Sequence, residues 1–151
     1  MAGAWRIVKA RRAGTAFSGE GAAMSGGRWN SRGVKVIYAS ETRSLAVLEN
    51  LVHINPAVQF EYSCVHLEFD DSLVEKILPS GLPKNWNSYP PGPSTQKIGD
   101  GWVHAGRSAV LAVPSAIVDG EFNYLLNPAH PDFKKIKIGK PEPFTFDPRL
   151  L

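Results

Sequence analysis

Apolar residues recur with two different periods along the chain. Residues 4–8 and 34–39 carry β-branched and aromatic side chains in short runs, which predicts two strands. The second is entered through a turn at Asn30-Ser31-Arg32-Gly33, so the two are expected to form a hairpin. Over 41–53 the period changes: Leu45, Leu48 and Val52 follow helical spacing, with Ser40 or Thr42 placed to cap the start and Asn55-Pro56 to stop the run. Residues 60–69 are apolar on both alternating faces, the pattern of a strand inside a sheet, and Asp70-Asp71 ends it. A Pro/Gly-rich stretch over 78–93 reads as a long loop. Ile98, Trp102 and Ala105 suggest a short helix, 109–113 a buried strand stopped by Pro114, and 122–126 and 135–138 two more strands.

This order lacks the regular alternation of a doubly wound parallel sheet. The expected fold class is therefore mixed α/β (α+β), with largely antiparallel central sheets flanked by short helices. At 151 residues the chain can bury a real core, and one domain over 1–151 is expected.

Charge and composition narrow the function classes. The basic residues Arg6, Lys9, Arg11 and Arg12 precede no apolar run long enough for a signal peptide, and no later stretch reaches membrane-spanning length. A soluble, cytoplasmic protein with no membrane contact is expected. Cys64 is the one cysteine, so no internal disulfide forms; with His66 two residues away and no oxyanion partner, it reads as a buried structural thiol. A net charge of +3 permits nucleic-acid binding without requiring it. The densest basic stretch, Lys134, Lys135, Lys137 and Lys140, alternates with Ile136 and Ile138 as the solvated face of a strand would. No direct nucleic-acid contact is expected. The four histidines lack close pairs or cysteine partners, so no metal site is expected either.

Two nucleotide motifs fail. Gly19-Glu20-Gly21-Ala22-Ala23-Met24 ends on the wrong residue for a dinucleotide fingerprint and opens no obvious helix after a strand. The glycines up to Gly27 lack the Lys-Ser/Thr ending of a phosphate loop.

Three polar groups from three successive elements remain. Arg28 sits among glycines that let backbone approach a ligand, and its guanidinium suits a pyrophosphate; a hairpin salt bridge is the alternative. Tyr38 is either a core aromatic or a ring that stacks on a planar base. Glu49 shares a helical stripe with Ala46 and His53 beside the more apolar stripe of Leu48 and Val52, so it either borders a cleft or is an ordinary exposed carboxylate.

Several ordered blocks resemble the RES domain: Phe17-Ser18-Gly19-Glu20-Gly21, Gly26-Gly27-Arg28-Trp29-Asn30, Val36-Ile37-Tyr38-Ala39-Ser40 and Leu45-Ala46-x-x-Glu49. Later blocks continue the likeness, namely Lys97 to Trp102, Val113-Pro114-Ser115 and Asn123 to His130. The resemblance implies a fold similar to ADP-ribosyltransferase toxins, NAD as substrate rather than cofactor, and a catalytic Arg28, Tyr38 and Glu49. Gly27, Trp29, Asn30, Ser115, Asn123 and Asn127 are the implied NAD contacts. It also implies a toxin paired with an Xre-type helix-turn-helix antitoxin, and leaves room for a homodimer within that complex. Members hydrolyse NAD, use phosphate as acceptor or modify a protein, and the shared residues do not choose among these.

The chemistry suits the side chains. Departure of neutral nicotinamide leaves an oxocarbenium-like ribose that a carboxylate stabilises, while an aromatic ring holds the nicotinamide and a guanidinium fixes the pyrophosphate.

Overall fold

The computed structural model describes residues 1–56 and 60–151. In chain order it contains β1 (Ala2–Lys9), α1 (Glu20–Ser25), β2 (Ile37–Ser40), α2 (Arg43–Leu51), β3 (Tyr62–Phe69), β4 (Val74–Lys76), α3 (Pro93–Ala105), β5 (Val110–Pro114), β6 (Phe122–Leu126), β7 (Lys137–Ile138) and β8 (Glu142–Phe144). The strands form one sheet in the order β4-β5-β6-β2-β1-β3-β7, with β8 also on β3. Only β4 and β5 run parallel. The expected mixed α/β class with largely antiparallel strands is the observed architecture.

The centre of the sheet is buried on both faces, as its sequence foretells. All five residues of β5 are buried. Val110 and Leu126 join Ala4, Ile37, Leu67 and Phe69 on one face. Leu111, Val113 and Leu125 turn to the other, against Trp29 and Trp102. That second core fastens α3 to the sheet. A third cluster, Ile7, Ala46, Cys64 and Phe146, seats α2, and Cys64 is the buried thiol expected of it.

Several expectations need correction. β1 and β2 do pair antiparallel, with Trp5 opposite Ser40, but a 3-10 turn, α1 and a glycine-rich loop separate them, so they are no local hairpin. Glu20–Ser25 is helical; at six residues, entered from a 3-10 turn rather than a strand, it still lacks the dinucleotide-binding context. α3 begins at Pro93, within the stretch read as loop, because proline's fixed φ suits the first helical turn. Of 135–138 only Lys137–Ile138 is strand; Ile136 is buried while Ile138 is 41% exposed, so Ile136 alone anchors that segment. On α2 the buried stripe is Leu45 and Ala46, whereas Leu48 and Val52 are 39% and 57% exposed. The helix rests on the sheet through one narrow stripe, and Glu49, one turn beyond Leu45 and Ala46, continues that stripe.

Candidate active site

The chain leaves α1 at Gly26, whose φ of +71° closes the helix with its N–H on the Ala22 carbonyl at 2.8 Å. Gly27 and Asn30 then face each other across a β-bridge, the Gly27 N–H donating to the Asn30 carbonyl at 2.9 Å. Arg28 and Trp29 form the tip. Trp29 turns inward, 3% exposed, beside Trp102 and Leu125. Arg28 is half-buried and donates from Nη1 to the carbonyls of Trp86 at 2.9 Å and Ser88 at 2.8 Å. Burial lowers its pKa, while the negative charges of Glu49 and of ionised Tyr38 pull the other way, so both groups lie within electrostatic reach of Arg28.

Tyr38 projects from β2 beneath this tip. Its hydroxyl donates to Asn30 Oδ1 at 2.6 Å and accepts the Trp29 N–H at 3.1 Å. Asn30, fully buried, donates from Nδ2 to the Ala22 carbonyl at 2.9 Å and the Val34 carbonyl at 3.1 Å. It is a strut between α1, the loop and β2. A Cβ on Gly27 would stand 2.8 Å from the Tyr38 hydroxyl, so glycine is required there by close approach of the protein itself. Desolvation raises the Tyr38 pKa and keeps the phenol a neutral donor. Arg6, on β1, donates from Nη1 to the Tyr38 carbonyl at 2.7 Å and from Nε to the Ala16 carbonyl at 3.0 Å, and burial lowers its pKa to about 10.

Two residues after β2, Thr42 caps α2, its hydroxyl accepting the Leu45 N–H at 3.0 Å. The short connection sets Glu49 against the adjoining ends of β5 and β6. Ser115 Oγ donates to Glu49 Oε2 at 3.0 Å, and Asn123 Nδ2 donates to the same oxygen in a short hydrogen bond. Oε1 has no hydrogen-bond partner among the described residues. Ser115 Oγ in turn accepts the N–H groups of Ile117 and Val118, each at 3.1 Å, which fixes its hydroxyl toward Glu49.

One face of α3 grips the arginine loop. Thr95 Oγ1 donates to the Arg28 carbonyl at 2.6 Å, and Gln96 Nε2 to the Gly27 carbonyl at 3.0 Å. Asp100 accepts from the Ser31 N–H at 3.0 Å and the Ser31 hydroxyl at 2.6 Å. Between them Gly99 lets the Trp29 carbonyl come so near that a Cβ there would overlap it, at 1.7 Å.

The structure thus brings together Arg28, Tyr38, Glu49, Ser115 and Asn123, with Gly27 and Asn30 as supports of Tyr38. It leaves Trp29 in the core. Asn127 is apart: 2% exposed, it accepts the Ala129 N–H at 3.0 Å in a turn and donates to the Val103 carbonyl. A concavity of about 660 Å³ lies elsewhere, beyond β1, lined by Phe60, Tyr62, Phe144 and Phe146, and takes in none of the three central groups. Sequence reasoning missed Arg6, Thr95, Gln96 and Asp100. The spacing of Thr95, Gln96, Gly99 and Asp100, a stripe of polar and small residues that shares its buried edge with Trp102, is the available signal.

The architecture has a solved counterpart: the structure of the M. tuberculosis MbcT-MbcA toxin-antitoxin complex contains a chain of the same fold, with a TM-score of 0.79 at 20% identity, over 99% of this chain and 86% of that one. The family follows from sequence. The RES domain pattern matches residues 4–147, and the chain belongs to the RES domain family. Similar proteins include "Prs ADP-ribosylating toxin" from Sphingobium sp., 40% identical over 97% of this chain and 95% of that protein. "Toxin Res" from Yersinia enterocolitica is 40% identical over 97% of both. "Toxin Res" from Photorhabdus laumondii is 35% identical over 97% of this chain and 96% of that one.

Proposed function

We propose that this chain is the toxin of a toxin–antitoxin pair and that it breaks the nicotinamide–ribose bond of NAD. The observation that carries the reading is the state of Glu49: one carboxylate oxygen is held by Ser115 and Asn123, the other accepts no hydrogen bond from the described residues, and the carboxylate lies within electrostatic reach of Arg28. A carboxylate so fixed suits a cation that exists only in the transition state, because the reorganisation has been completed in folding. As the C1′–N bond breaks, its electron pair leaves with neutral nicotinamide and positive charge grows on the ribose. Glu49 Oε1 stabilises it. The ring face of Tyr38 is the stacking surface, since its hydroxyl is already engaged by Asn30 and Trp29. Arg28 retains Nε and Nη2 for the pyrophosphate, its Nη1 being spent on the Trp86 and Ser88 carbonyls. An acceptor oxygen, from water or phosphate, then adds to C1′ and loses its proton to solvent.

A second reading, transfer of ADP-ribose to a protein, is favoured by the name of the Sphingobium relative. The partner is an antitoxin, a reading supported by the toxin–antitoxin setting of the structural counterpart, and its Xre-type helix-turn-helix character is what the family resemblance implies. A cytoplasmic site of action agrees with this, and no helix among the described residues is long and apolar enough to cross a membrane.

The deciding experiment incubates the purified protein with NAD, with and without phosphate, and separates the products. Free ADP-ribose or its phosphorylated form supports NAD cleavage, and label carried onto protein supports transfer. Intact NAD in every arm refutes cleavage, and absence of labelled protein when a cell lysate is added as acceptor refutes transfer.

A further inference from the structure

We infer that Ser40 is a positioning residue for Glu49, acting through the side-chain amide of Asn123. The inference rests on the reading of Glu49 as the working carboxylate.

Ser40 is the last residue of β2 and lies directly opposite Asn123 on β6. It is 4% exposed, and its hydroxyl donates to Asn123 Oδ1 at 2.7 Å. The other end of the same amide, Nδ2, donates to Glu49 Oε2. The two bonds run in one direction: hydroxyl to amide oxygen, amide nitrogen to carboxylate. Glu49, when ionised, only accepts, so Nδ2 must face it, Oδ1 must face Ser40, and Ser40 must donate. Hydrogen bonds linked head to tail polarise one another, so the serine strengthens the donor that the carboxylate feels.

The surroundings hold Ser40 in place. Its neighbour Glu41 donates its N–H to the Phe122 carbonyl at 3.2 Å and accepts the Phe122 N–H on its side chain at 3.0 Å. The end of β2 is thereby locked to the start of β6, and the serine cannot drift from the asparagine. Glu49 is held from two sides, by Ser115 from the turn after β5 and by Ser40 and Asn123 from the β2–β6 pair. Without the serine, the half-buried Oδ1 loses its donor and the amide is free to rotate. A rotated amide would present an oxygen to the carboxylate and push Glu49 out of line. Ser40 touches Asn123 rather than the open oxygen of Glu49, so its effect belongs to the bond-breaking step and not to substrate binding.

The test is a double-mutant cycle on NAD turnover with Ser40→Ala, Asn123→Ala and both together, each checked for an unchanged circular dichroism spectrum. Ser40→Ala should lower kcat about tenfold while KM for NAD stays within about twofold, and Ser40→Thr, which restores the hydroxyl, should recover most of the loss. In the Asn123→Ala background the serine substitution should add less than about twofold, because its route to Glu49 is already cut. Full multiplication of the two losses would overturn the proposal, as would unchanged kcat in folded Ser40→Ala or a loss confined to KM. If Ser40→Ala does not fold, the cycle is read from Ser40→Thr and Ser40→Cys; equal kcat in these two, despite the weak donor of the thiol, overturns it. Absence of turnover in the wild-type protein would instead sink the NAD reading itself.

Discussion

Glu49 and Tyr38 are held by similar numbers of hydrogen bonds, yet substitutions at the two should fail in different ways. Glu49→Gln keeps a carbonyl oxygen able to accept from Ser115 and Asn123, so the melting temperature should stay within a few degrees of wild type. NAD turnover should fall by about two to three orders of magnitude, because the charge facing the ribose is gone. Turnover within a few-fold of wild type would remove Glu49 from the mechanism. Tyr38→Phe keeps the stacking ring but strips a donor from the buried Asn30 Oδ1 and an acceptor from the Trp29 N–H. Its signature should be a stability loss of about 1–3 kcal/mol in chemical denaturation. The pH dependence has a definite sign. Burial raises the Tyr38 pKa above the unfolded value of about 10, so its contribution is complete below that pH and declines as pH rises further. Tyr38→Phe should therefore show a shallower alkaline loss of stability than wild type, measured as denaturation midpoint against pH.

At the scale of elements, α3 is the holder of the arginine loop, and Gly99 is where the two come closest. Gly99→Ala would drive a methyl into the Trp29 carbonyl, a backbone atom that cannot swing aside. The helix must retreat, costing about 1–3 kcal/mol and breaking the register of Thr95, Gln96 and Asp100 on the loop. Turnover should drop alongside stability, with NAD binding weakened through Arg28; calorimetric titration of NAD and a melting curve together check this. The elements also show why some of the fold was legible from sequence and some was not. β5 is readable because a strand buried on both faces shows as a continuous apolar run, and β3 and β6 because aromatic and β-branched residues bounded by turn signals mark them as strands. Periodicity places α2 but not its buried face, because Leu48 and Val52 follow the same period as Leu45 and nothing in that period says which stripe meets the sheet. Arg28, Tyr38 and Glu49 stood out by local setting and family likeness. Ser40, Thr95 and Asp100 did not, since their roles depend on partners far along the chain. Pairing across that distance leaves no local trace.

For the whole molecule, the open side of the site is bounded by the Arg28 tip, which is bound to the Trp86–Ser88 segment, and by the Ser115 turn. These are surface loops, and Ile117 and Tyr89 near them are 40% and 85% exposed. A partner seated on both loops would close the site without deforming it. The expected outcome is that a saturating antitoxin abolishes NAD turnover and that Arg28 and Glu49 lose solvent accessibility. Full turnover in the saturated complex would show that inhibition works by another route.

The order of synthesis gives the hydrogen bonds around Glu49 a further meaning. Arg28, Tyr38 and Glu49 all lie in the first third of the chain, and every side chain that steadies the carboxylate from outside its own neighbourhood, Ser115 and Asn123, lies in the last. The grip of α3 on the arginine loop likewise comes from residues made well after the loop itself. A nascent chain on the ribosome therefore carries the reactive groups long before it carries what aligns them. Under the proposed function, a polypeptide harmful to its maker becomes so only once the segment from Ser115 to Asn123 has been made, and a chain broken off before it is harmless.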